Sequence, residues 1–93
     1  MRSIVSIDKQ CWVCGSRENL HKHHIYYGVS NRPLSEKYGC VVYLCYYHHN
    51  GSNEGVHFNH MLDLLLKKHC QRAWEKKYGD REAFRKIFGR SYL

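Results

Sequence analysis

Two short intervals in the chain carry metal-binding side chains at matched spacing: Cys11-x-x-Cys14 and Cys45-x-x-His48. Each lets one tight turn present two ligands to an ion, and two such half-sites complete a tetrahedral set. Three thiolates and one imidazole suit zinc, a borderline-soft ion that accepts sulfur and nitrogen alike. Four protein ligands leave no open coordination position, so the spacing predicts a structural zinc and not a reacting one. Cys40 and Cys70 have no ligand-spaced cysteine neighbour and read as small buried residues of a strand and a helix.

A second group is rich in imidazole. Residues 20–25 read Leu-His-Lys-His-His-Ile. In a strand, His21 and His23 share one face and His24 takes the other, so the adjacent histidines can hold different jobs. The alternation leaves open which face meets a metal. His49 directly follows the zinc ligand His48, and His57 stands at the start of an expected long helix. Imidazoles converging there would bind a divalent ion while leaving coordination positions for a phosphate oxygen and water.

The elements that must position these groups are short. Residues 20–27 have the aromatic and β-branched character of a strand ending at Gly28. Residues 29–39 hold the single proline and read as an inter-strand loop with one helical turn over 34–38. Residues 40–44 are the clearest strand, with the ligand cluster 45–49 hanging off its end, and residues 50–55 are turn-formers. From about Val56 the period becomes helical, with Phe58, Met61 or Leu62, Leu65, His69 and Ala73 on one apolar face. Gly79 should stop that helix, and Asp80 should cap a short tail helix that runs through Phe88 and closes at Gly89. The expectation is an α+β fold: a zinc-stapled two-stranded unit, a long C-terminal helix and a short tail helix. It forms one domain over residues 1–93, with the zinc-bearing core at about 11–78 and a basic helical tail at about 79–93.

Composition explains why a staple is needed and what it serves. A chain of 93 residues buries a modest fraction of its surface, and only 43% of its residues are apolar, tyrosines included. A metal would supply stability that packing cannot. Five cysteines do not pair off into a disulfide framework, residues 1–10 lack the apolar stretch of a signal peptide, and no run reaches membrane-spanning length. These features predict a cytoplasmic protein with no membrane association. A net charge of +7 favours an anionic partner, with DNA the leading candidate. From Met61 onward nine basic residues face four acidic ones, and Lys67, Lys68, Arg72, Lys76 and Lys77 are the expected phosphate contacts. Tyr26, Tyr27, Tyr46, Tyr47, Asn31 and Arg32 are further candidates for phosphate or sugar.

The ordered combination of Cys-x-x-Cys, then His23-His24-Ile25, then Leu44-Cys45-x-x-His48-His49, then a later His resembles the His-Me finger (HNH) nucleases. Within them it is similar to the phage-associated group typified by the recombination enhancement function nuclease. The resemblance spans residues 11–60 and implies a ββα-metal fold, in which a hairpin carries the general base and a helix carries a metal ligand. Carried over by position, it makes His24 the base and His23, His49 and His57 the ligands of a catalytic Mg²⁺ or Mn²⁺, with Asn53 as the alternative last ligand. It implies a DNA endonuclease, nicking more readily than cutting both strands, and as partner a recombinase filament or another phage recombination protein, in the host cytoplasm. Where the family has its middle Asn this chain has Cys40, so backbone groups or Asn31 would have to make the hydrogen bonds that orient the inter-strand loop. The alternative function is a noncatalytic zinc-stabilised module that binds nucleic acid.

Overall fold

The computed structural model describes residues 3–50, 55–56 and 59–93. His57 and Asn53, the two candidates for the last ligand of a catalytic ion, lie outside the described residues. The elements run β1 (Leu20–His24), α1 (Asn31–Tyr38), β2 (Val41–Cys45), α2 (Tyr46–His49), α3 (His60–Lys77) and α4 (Arg81–Phe88). β1 and β2 pair antiparallel, with Leu20 opposite Cys45 and His24 opposite Val41. The expected small α+β architecture is present: a two-stranded sheet, a long helix and a short tail helix.

The connection between the strands is a helix and not a loop. Pro33 reads as a breaker in the sequence, yet it stands third in α1, where its missing N–H has no intrahelical acceptor to lose. Gly39 ends the helix at φ 74°, a left-handed conformation that glycine adopts without strain. Ser35 fastens α1 to the end of β1: its hydroxyl donates to the carbonyl of Tyr26 at 2.6 Å and accepts the N–H of the same residue at 3.0 Å.

α3 begins at His60, four residues later than its periodicity predicts. Asn59 caps it, accepting the N–H of Leu62 at 3.1 Å. Val56 belongs instead to the core, and its N–H reaches the carbonyl of His48 at 2.7 Å. The buried stripe is also rotated from the one expected. Leu66, Cys70 and Trp74 face inward, whereas Met61 and Leu65 are exposed. The segment is apolar all round at its start, so hydrophobicity could not choose the face; the polar residues did. Gln71 is fully buried because its amide donates to Glu75 and Ser91 and accepts the N–H of Tyr92 at 2.7 Å.

That clamp folds the last residues back over the core. Tyr26, fully buried, lies 4.7 Å from Phe88, 5.3 Å from Phe84 and 5.5 Å from Tyr92 between ring centroids. Its hydroxyl is satisfied by the carbonyl of Lys67 at 2.6 Å, so of its two candidate roles Tyr26 takes packing and not phosphate contact. Asp80 caps α4 through the N–H of Ala83 at 2.8 Å, as expected. Gly79 is needed for room: a Cβ there would lie 3.3 Å from that of Ala83 and 3.4 Å from Trp74. Phe84 touches both Tyr26 and Trp74. Phe84→Ala is therefore expected to cost the zinc-loaded protein about 3–5 kcal/mol in denaturant unfolding, the range for truncating a fully packed aromatic.

Candidate metal centre and histidine cleft

The two half-sites converge. The sulfurs of Cys11, Cys14 and Cys45 and a ring nitrogen of His48 all lie within 4.8 Å of one another. Cys14 Sγ is 3.8 Å from Cys45 Sγ, and His48 Nδ1 is 3.3 Å from Cys45 Sγ and 3.8 Å from Cys11 Sγ. A tetrahedral zinc with Zn–S bonds of about 2.3 Å separates its sulfurs by about 3.8 Å, so this cluster could hold a metal such as zinc. Local structure sets the geometry. The Cys11 turn closes through Gly15 N–H to the Cys11 carbonyl, and Trp12 N–H docks the turn onto the carbonyl of Tyr43 in β2. Cys45 ends β2, and the short α2 that follows puts His48 one turn away on the same side.

The electrostatics favour thiolate at Cys11. Burial opposes ionisation of Cys11, but the backbone amides of Cys45, Cys14 and Val13 outweigh it and bring the thiol down to about 6. Cys14 moves the other way: the Ser16 amide favours its thiolate, but desolvation and the neighbouring thiols of Cys11 and Cys45 leave its pKa raised. An ion would relieve that crowding of negative charge.

The histidines form a second assembly on the other side of α2. Side-chain alternation in β1 turns His21 and His23 toward α2 and turns Lys22 and His24 toward α1. His21 Nδ1 is 3.0 Å from His49 Nδ1, and the rings of His23 and His49 are 5.2 Å apart with His23 buried. His24 Nε2 lies 2.7 Å from Glu36 Oε2 on α1, and the same carboxylate pairs with Lys22. The two faces meet where β1 ends. Lys22, His23, His24, Tyr27, Arg32 and His49 together line a cleft of about 190 Å³, which opens beside His24 into a groove of about 810 Å³ bordered by Val29, Pro33 and Glu36.

No protein-family model, curated protein or solved structure matches this chain.

Of the expected site residues, Cys11, Cys14, Cys45 and His48 come together in the metal cluster, and His23, His24 and His49 in the cleft. The five basic candidates of α3 do not line that cleft among the described residues. Lys67 is committed elsewhere. Its ammonium pairs with Asp63 at 2.9 Å and sits 4.3 Å over the ring of Tyr27; burial lowers its pKa, but Asp63 outweighs burial and leaves it raised. Lys68 and Arg72 border a separate concavity with Arg81, while Lys77 borders another beside Lys37. Lys76 is exposed at the end of α3. The cations at the cleft are Lys22 and Arg32. Asn31 donates to the carbonyl of Phe88 at 3.2 Å, tying α1 to α4 rather than orienting the inter-strand loop.

Glu36 and Lys22 were missed by sequence reasoning, while His21 was placed on the face of His23 without a role. Lys22 was detectable as the strand partner of His24 at a spacing of two, but Glu36 becomes visible only once residues 31–38 are known to be helical.

The folded-state pKa of Cys11 lies below the ordinary 9.0, so the stability its thiolate contributes is complete above pH 9 and is lost as the pH falls through about 6. Protons and zinc compete for that sulfur. The purified protein is expected to carry one zinc at neutral pH and to release it to a chromogenic chelator as the pH is lowered, because protons displace the metal from its thiolates. Cys45→Ser should release it at neutral pH.

Proposed function

We propose that this chain is a metal-dependent DNA endonuclease of the His-Me finger (HNH) kind, with the segment from β1 to α3 serving as a ββα-metal unit. One observation carries the reading: His23 and His49, as ion ligands, and His24, as base, line a single cleft beside a Cys3His cluster. The ordered motif in the sequence supports it independently. So does the net charge of +7, because a basic chain concentrates polyanions at its surface.

In this reading His24 takes a proton from a water molecule as the water oxygen attacks phosphorus. The new P–O bond forms in line with the breaking P–O3′ bond, leaving a 5′-phosphate and a 3′-hydroxyl once the departing oxygen is protonated. Imidazole suits the base role because its unperturbed pKa lies near neutrality. Lys22 and Arg32 hold and orient phosphate oxygens at the mouth of the cleft. Tyr46 and Tyr47, both exposed, offer contacts to the sugar-phosphate chain. His23 and His49 would hold the divalent ion of this reading, Mg²⁺ or Mn²⁺, with phosphate and water oxygens supplying the ligands that hard ions favour, and its chemistry would be to stabilise negative charge on the phosphate and the departing oxygen. A recombinase filament or another phage recombination protein is the proposed partner, from the sequence resemblance alone.

Zinc-loaded wild type is expected to nick supercoiled plasmid when Mg²⁺ or Mn²⁺ is added. His24→Ala should retain its zinc and its melting behaviour while cutting about 10²–10⁴-fold more slowly, the usual contribution of a general base. Equal cutting by the variant would remove His24 from the base role. Salt-sensitive DNA binding without any cutting, on every DNA form and with the recombinase filament present, would make the chain a zinc-stabilised binding module.

A further inference from the structure

The geometry points to Glu36 as the positioning residue for His24, holding the ring so that Nδ1 is the nitrogen presented for proton transfer. This rests on the nuclease reading and adds to it a residue outside the sequence motif. The contact is direct: His24 Nε2 and Glu36 Oε2 are 2.7 Å apart. An ionised carboxylate can only accept, so the shared proton sits on Nε2, and in the neutral ring Nδ1 is then left bare. Lys22 and His24 hydrogen-bond the Glu36 carboxylate and hold its pKa below the usual range, which keeps it ionised and accepting.

The surroundings give this contact a purpose. His24 is 15% exposed and lies in the cleft with Lys22, His23, Arg32 and His49. Without an anchor, its ring could turn about its side-chain bonds and offer either nitrogen to that cleft. β1 fixes the backbone of His24 but leaves those torsions free; the anchor comes from α1. Glu36 is reached one helical turn after Arg32, so both project from α1 toward the same groove. The other candidates for the task are occupied. Cys40, at the position of the family's Asn, is fully buried with its thiol against Cys70, and Asn31 is spent on Phe88.

The test compares wild type with Glu36→Gln and Glu36→Ala, all zinc-loaded. Half of the Glu36 side chain is exposed, so both variants should fold and bind zinc normally. Gln retains a neutral acceptor for Nε2–H; Ala retains none. Plasmid nicking is expected to fall about tenfold in Gln and about a hundredfold in Ala, the range for removing a group that orients a functional histidine. The second readout is the ring nitrogen spectrum of ¹⁵N-labelled protein at a pH where imidazole is neutral. A protected Nε2–H signal assigned to His24 should be present in wild type, weakened in Gln and absent in Ala. A His24 spectrum unchanged in Ala would overturn the contact. Loss of the signal with wild-type nicking would overturn the positioning role. If the signal is lost in Ala but wild type cuts no DNA, the nuclease reading fails and the positioning role falls with it, while the Glu36–His24 contact itself stands.

Discussion

The pairing register of two five-residue strands governs this molecule. With Leu20 opposite Cys45 and His24 opposite Val41, β2 delivers Cys45 to the Cys11 turn and β1 delivers His23 and His24 to one cleft. A strand has a side-chain period of two, so a slip by one residue would exchange His21 and His23 for Lys22 and His24. Ile25, buried and on the same face as His21 and His23, would then leave the core. β2 is buried on both faces, Val41 and Cys45 on one and Val42 and Leu44 on the other, and this packing holds the register on behalf of both the metal cluster and the cleft. A two-stranded sheet is marginal by itself, which is why the helices and the cysteine cluster close around it.

Much of this was legible in the sequence where a single physical rule decides the outcome. Cys11, Cys14, Cys45 and His48 announce themselves because ligand spacing is dictated by one ion. Asp80, Gly89 and the tail helix follow from capping chemistry. The strands were found to within a few residues. Rules in competition were less readable. Pro33 is a breaker in most contexts and harmless in a first turn, and only the length of α1 shows which applies. The stretch from Met61 to Leu66 offers apolar residues on every side, so its buried face was chosen by the partners that Asp63 and Gln71 find in three dimensions. Lys67 looked like one more surface cation; Asp63 and Tyr27 internalise it.

The histidine cleft was half visible. Alternation separates His23 from His24, and nothing in a linear pattern says that both faces can reach one concavity. They do so at the strand end, where α1 closes one side and α2 the other. Glu36 belongs to the element the sequence hid, and it was hidden for that reason.

α2 is four residues long and carries His48 and His49 side by side. One helps close the metal cluster and the other lines the cleft, with no intervening residue to absorb a disturbance. An ion held by the Cys3His cluster would therefore brace the cleft as well, and its loss would disturb both together. Metal binding and ordering of the cleft would then be a single event, so a population short of metal would divide into ordered and disordered clefts instead of loosening uniformly.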